Sequence, residues 1–269
     1  VLLDYGQNLD VVNLFESDFY KDYCARLYDY NQKGYISADA STDTTAVGEL
    51  VKAGTLMSYT TGGKPGIKAQ ETTLTGRDMT IFQTLDDYIG STSVAGMPWT
   101  IPISAQHKEA AMKFLNECYS NADVANLLAW GIEGTHYKIG DDGLATYADG
   151  VDASNSGWNH SMGWMMPNQF LTHVWEGNDP ELWDKMRDFN NNAKVSKASG
   201  FSFDSTNVAN EITAVQNVYN EYQTSVEYGF VDPETGIAEM NDKMMAAGLQ
   251  KIIDEKAAQL AAWQEANKK

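Results

Sequence analysis

Ile101-Pro102-Ile103-Ser104-Ala105-Gln106-His107-Lys108-Glu109-Ala110-Ala111-Met112-Lys113-Phe114-Leu115-Asn116 passes from an extended apolar start into a helix. Trp99 to Ile103 reads as a short strand, because β-branched and aromatic side chains dominate it. From Lys108 to Tyr119 the period changes. Ala111, Met112, Phe114 and Leu115 recur at helical spacing, which predicts an amphipathic helix. Asn121 then offers a side-chain oxygen to cap a second helix, which runs through Trp130 and stops at Gly131. His136 to Ile139 reads as a strand that leaves through the turn Asp141-Asp142-Gly143 toward Tyr147. Strands that feed helices point to an α/β fold.

Upstream, Ser17 caps a predicted helix to Lys33, with Phe19, Tyr20, Tyr23, Cys24, Leu27 and Tyr30 at helical spacing and Gly34 at its end. A shorter helix covers about Thr45 to Ala53 and ends at Gly54. Leu56 to Thr60 reads as a strand ahead of the loop Gly62-Gly63-Lys64-Pro65-Gly66, and further strands are expected near Met79 to Gln83 and Tyr88 to Val94. Downstream, residues 148–170 have no clean period and read as loop, and Asn178 and Pro180 then start a helix to about Asn190. Three helices are expected over Thr206 to Tyr228, Gly236 to Ala247 and Gln250 to Asn267. Val208, Ile212, Val215, Val218 and Tyr222 form one stripe on them, and Ile252, Ile253, Leu260 and Trp263 another; such stripes are core seams.

The 269 residues carry 19 Lys and Arg against 37 Asp and Glu, a net charge of −18. That charge repels phosphate backbones and argues against a nucleic-acid partner. The acids are spread along the chain, as on a solvated surface. No apolar run approaches the roughly 20 residues that span a bilayer. Val1-Leu2-Leu3-Asp4 has no basic n-region, so the chain is expected to be cut from something longer. Cys24 and Cys118 fit no zinc or CxxC spacing; buried free thiols are the default expectation, and a disulfide between them is the alternative. His107, His136, His160 and His173 show no helical ligand spacing, so no metal and no cofactor is expected. There is no GxSxG, no Walker loop and no GxGxxG before a helix.

The chemistry on offer is aromatic. Seven Trp and 14 Tyr are present, several of them among Gly, Asn and Ser. Trp158 lies in Ser156-Gly157-Trp158-Asn159-His160, Trp164 in Met162-Gly163-Trp164-Met165-Met166-Pro167-Asn168-Gln169. Tyr59 precedes the glycine loop and Trp99 stands between Pro98 and Thr100. A sugar presents apolar C–H faces and a polar rim, which Trp or Tyr faces and Asn, Gln, Asp or His side chains match respectively. Taken singly, each aromatic fits a core position better. Taken together, Tyr59, Trp99, Trp158 and Trp164 are the candidate ligand platform, with Asn159 and Asn168 as its polar partners.

The stretches quoted at 101–116 and 126–137, with Glu49 to Tyr59, resemble the extracellular solute-binding proteins of family 1, which serve sugar and oligosaccharide ABC importers. Gly200-Phe201-Ser202-Phe203-Asp204 and the last three helices are similar to an extra C-terminal domain of unknown function found in one subgroup. The resemblance implies a helix-rich α/β lobe of the type II periplasmic-binding-protein kind, with a small sheet, a C-terminal helical region and most of the N-terminal lobe missing. It implies residues 1–95 as the first part of the C-terminal lobe, 97–150 as hinge crossover and remainder of the N-terminal lobe, and 152–269 as completion of the C-terminal lobe. It implies capture of a small-molecule solute without chemistry, sugar ahead of peptide, and delivery to an ABC permease from a periplasmic or cell-surface lipoprotein site. A cell-envelope glycoside hydrolase using paired carboxylates and a surface interaction domain are the competing readings. Over 97–150, the apolar Met112, Phe114, Leu115, Leu127, Leu128 and Trp130 would leave a helix face uncovered, which is expected to be hidden by self-association of this chain, by swapping of this segment, or by its folding onto the C-terminal lobe.

Overall fold

The structure, a computed structural model, describes every residue except Thr92, Val94, Ala95, Met97, Asn159, Ser161, Met162, Lys268 and Lys269. In chain order, α1 spans Asp18–Gln32, α2 Val47–Ala53 and α3 Ile67–Thr75. β1 is Tyr88–Ile89, followed by α4 at Lys108–Ser120 and α5 at Ala122–Trp130. β2 (Tyr137–Ile139) and β3 (Ala145–Tyr147) precede α6 at Leu182–Asn192 and β4 at Lys194–Val195. Then come α7 at Ala209–Glu227, α8 at Pro233–Ala246 and α9 at Leu249–Ala266.

The helix ends follow their capping chemistry. Ser17 accepts the N–H of Tyr20 at the start of α1, and Asn121 accepts those of Asp123 and Val124 at the start of α5. Asp232 does the same for Thr235, with Pro233 just inside α8. At the end of α2, Gly54 takes the left-handed conformation with φ 78°.

The chain divides into two compact units. The first comprises residues 1–45, 88–94 and 194–269, and the second residues 46–87 and 95–193. These bounds differ from the expected partition into 1–95, 97–150 and 152–269. Residues 46–87 group with the middle of the chain, and 1–45 with its last third.

In the first unit, α1, α8 and α9 pack against α7. Tyr20, Cys24, Val226, Ile237, Met240, Met244 and Leu249 form its buried core, with Val215, Val218, Tyr222 and Ile253 packed on it. The stripes expected on the last three helices thus face inward, and Val208 and Leu260 are buried as well. Gly229 allows the chain after α7 to lie on α1. Its φ is +68°, and a Cβ there would sit 2.5 Å from the Leu27 carbonyl oxygen. β1 and β4 form a short parallel pair, Tyr88 with Lys194 and Ile89 with Val195.

In the second unit, α4 packs on α5 and α2 on α3. β2 and β3 form the expected hairpin, with Tyr137 opposite Tyr147, Lys138 opposite Thr146 and Ile139 opposite Ala145. Leu144, Val174 and Leu182 make a small core there, with Trp183 against it. Among the described residues no helix is long and apolar enough to cross a membrane.

Helix-rich α/β architecture holds, but most of the expected strands do not form. Among the described residues Leu56–Thr60, Met79–Gln83 and Trp99–Ile103 join no ladder; of the run expected at Tyr88–Val94, Tyr88–Ile89 forms a strand, and Thr92 and Val94 lie outside the described residues. In place of the small sheet expected to hold 55–60, the described residues form two separate two-stranded ladders, neither of which includes it. The physical reason is that strand propensity requires an edge to pair with. Here Met57, Phe82 and Ile103 are 97%, 80% and 92% exposed. Conversely, α3 was not foreseen; its Thr72, Thr73 and Thr75 are weak helix formers. Of the six apolar side chains expected on an uncovered face, Met112, Phe114 and Leu127 are each more than half exposed, while Leu115, Leu128 and Trp130 are partly buried.

Candidate functional site

The second unit carries the loop residues 148–170 and all four candidate aromatics, Tyr59, Trp99, Trp158 and Trp164. Trp99 donates its indole N–H to the carbonyl of Met165 at 3.3 Å, and the phenol of Tyr119, from α4, donates to the same oxygen at 3.1 Å. Trp158 donates its indole N–H to the Leu128 carbonyl at 3.2 Å. That carbonyl belongs to the last turn of α5, where carbonyls lack intrahelical partners and accept from side chains. A ring nitrogen of His160 bonds the carbonyl of Met166, which precedes Pro167 across a cis peptide bond. Trp99, Trp158 and Trp164 are exposed by 45%, 42% and 52%, so the first two hold their polar edges in the protein while their faces meet solvent. Among the described residues the side chain of Trp164 makes no hydrogen bond or ring contact.

Asn168 acts within the fold. Its side chain accepts from the Phe170 N–H at 3.2 Å and donates to the Tyr119 carbonyl at 3.2 Å, and its backbone N–H reaches the Cys118 carbonyl at 3.1 Å. These bonds tie the loop to the end of α4. Asn159 lies outside the described residues.

Tyr59 occupies a separate neighbourhood. Its phenol donates to the carboxylate of Glu71 in α3, which is 3% exposed. Donation to that carboxylate, together with burial, pushes the Tyr59 phenol up to about 12. Burial lowers Lys64 beside the same carboxylate. Among the described residues no hydrogen bond or ring contact joins any two of Tyr59, Trp99, Trp158 and Trp164.

Two features were not read from the sequence. Trp130, Trp175 and Tyr147 form an aromatic cluster, with Trp175 4.8 Å from Trp130 and 5.0 Å from Tyr147 between ring centroids. The isolated bridge from Ala145 to Trp175 brings these distant positions together. The second is His136, whose ring lies 6.5 Å from that of Trp158. The only sequence signal for it is Gly131, five positions earlier. Cys24 and Cys118 are both buried and free. Among the described residues no group of three or more His, Cys, Asp or Glu is arranged to hold a metal ion.

A half-exposed indole whose N–H is held by a backbone carbonyl, as in Trp99 and Trp158, can stack on an apolar ring face. Residues 197–265 match the family described as a domain of unknown function, DUF3502. The chain is 27% identical over 256 residues to a carbohydrate ABC transporter substrate-binding protein of Streptococcus pneumoniae serotype 4, covering 93% of this chain and 51% of the relative. It thus spans about half the length of that relative. It also superposes on the crystal structure of the N-glycan transport solute binding protein NgtS from Streptococcus pneumoniae. The TM-score is 0.86 at 23% identity, over 98% of this chain and 58% of the other. The structure of NgtS in complex with Man5GlcNAc matches with a TM-score of 0.79 at 22% identity, over 99% and 59%. The fold is therefore that of part of a solute-binding protein, and the resemblance read at 101–116, 126–137 and the C-terminal helices is borne out.

Proposed function

We propose that this chain forms part of the solute-capturing subunit of an ABC importer and takes up a carbohydrate, an oligosaccharide above all, without breaking a bond. The observation that carries the reading is the set Trp99, Trp158 and Trp164, half-exposed on the loops of one unit, two of them with their N–H groups fixed to backbone carbonyls. A platform held that way loses little side-chain freedom when a sugar stacks on it, so more of the contact energy appears as affinity. The similar NgtS protein is described as binding Man1GlcNAc and Man5GlcNAc, which makes mannose-containing glycans the first class to try.

In this reading Trp99, Trp158, Trp164 and Tyr59 supply ring faces, Asn159 is a polar partner for the solute, and Asn168 contributes by holding the loop. The partner is a membrane permease, and the place of action is the cell surface or periplasm. A thermal-shift screen of mono- and oligosaccharides tests the proposal. A ligand bound only by the native state raises the melting temperature by mass action, and glycans containing mannose and N-acetylglucosamine are expected to do so. A screen in which no sugar shifts melting, or in which an added glycan is recovered cleaved, contradicts it.

A further inference from the structure

Trp158 cannot donate a hydrogen bond to a ligand, because its only N–H is held by the Leu128 carbonyl. Any polar contact beside its face must come from a neighbour, and the ring next to it is that of His136. We propose that His136 is a solute-binding residue, its neutral ring donating from Nε2 to a hydroxyl of a sugar stacked on Trp158. This rests on the carbohydrate reading given above.

The proton's place follows from the turn that holds the ring. The backbone N–H of Ile132 donates to His136 Nδ1 at 2.8 Å, so Nδ1 carries the lone pair and the ring proton is on Nε2. That approach needs glycine at 131. Its φ is +85°, and a Cβ there would lie 2.6 Å from Nδ1 and 2.9 Å from Cγ. The His136 N–H in turn donates to the Ile132 carbonyl at 2.9 Å, and the Ala148 N–H donates to the His136 carbonyl at 3.3 Å. The ring therefore stands on a frame tied at both ends. Among the described residues Nε2 has no hydrogen-bond partner, and no buried side-chain nitrogen or oxygen is left unpaired, so this N–H faces solvent. The planes of His136 and Trp158 diverge by 42° with centroids 6.5 Å apart, setting a free donor beside a half-exposed stacking face.

The test titrates the ¹⁵N-labelled chain with Man1GlcNAc and follows the side-chain nitrogens of His136 and Trp158 by NMR. The free protein is expected to show His136 as the Nε2–H tautomer. Its Nε2 and the Trp158 Nε1 are expected to shift with one binding curve. Two substitutions separate binding from support. His136→Asn keeps an acceptor at the Nδ1 position and loses the outer donor; it should leave melting unchanged and weaken binding roughly 3–10-fold, the usual worth of one hydrogen bond. His136→Gln keeps a donor at the Nε2 position and should bind within about two-fold of wild type even where melting falls. A purely structural histidine would instead make affinity follow melting in both variants. The inference is overturned alone if Trp158 shifts while His136 does not, if the Nδ1–H tautomer is found, or if His136→Asn binds like wild type. If neither side chain responds, the carbohydrate reading of this surface falls and the role of His136 with it.

Discussion

Helices α7–α9 and the segment 76–107 are both supplied with apolar side chains, and these end in opposite environments. Val226, Met240 and Met244 are fully buried, whereas Phe82 and Ile103 are 80% and 92% exposed. The difference lies in how far each pattern must reach for its partner. A helix satisfies its own backbone and needs only another apolar stripe, and the neighbouring helices provide one. An extended run leaves its N–H and C=O groups to be matched by a second strand, and sequence periodicity cannot say whether one is at hand. Local patterns with local partners become core, and the others become surface available to something else.

Truncating a buried methionine should distinguish the two regions most clearly. Met240→Ala removes a fully buried side chain from the helical core and is expected to cost about 2–5 kcal/mol in urea denaturation. Ile103→Ala, at a position almost wholly in water, should change stability by no more than about 0.5 kcal/mol. Equal effects would show that 76–107 is as well packed as the helices.

Gly229→Ala should follow in size. It forces a side chain onto a left-handed residue 2.5 Å from the Leu27 oxygen, and strain of that kind costs about 1–3 kcal/mol. The same substitution at Gly62, where nothing lies within 4 Å, should cost far less. Losing the Asn121 cap of α5 by Asn121→Ala should cost about 1 kcal/mol, since the N–H groups of Asp123 and Val124 lose their acceptor.

A pH profile sharpens the comparison from the side of the helical core. Burial raises the Cys24 thiol from 9.0 to about 11, and burial also raises the nearby Tyr20 phenol, which donates to Glu227 at 3.1 Å. A group whose folded pKa is raised favours the folded state below its unfolded pKa, and that preference is lost as pH climbs. Stability of the helical core should accordingly be level up to about pH 9 and fall between there and pH 11. Cys24→Ala is expected to flatten part of that fall when denaturation midpoints are measured across the range.

These contrasts also explain which parts were legible from the sequence. Ser17 and Asn121 marked helix starts because a cap is local chemistry, whereas the Asp232 cap was passed over and α8 begins at Pro233 rather than the expected Gly236; Asp141-Asp142-Gly143 marked the β2–β3 hairpin because the turn type demands glycine. The threonine-rich α3 was hidden by weak propensity, and the unpaired runs at 56–60, 79–83 and 99–103 were read as strands because propensity alone was available. In the candidate site, Trp99, Trp158 and Trp164 stood out by composition. His136 did not, since its orientation depends on a bond from Ile132 and a ring contact with Trp158, 22 positions along the chain. Nor did Asn168 show its role, because the carbonyl that its side chain bonds belongs to Tyr119, 49 positions away.

The central claim is that the tryptophans of the second unit bind carbohydrate, and calorimetric titration with Man5GlcNAc tests it most directly. The wild-type protein should bind, and Trp158→Ala and Trp164→Ala should each weaken binding by about 1–3 kcal/mol, the worth of a buried aromatic contact, with the melting temperature of the helical unit unaltered. Binding of equal strength in the wild type and both variants would contradict the account.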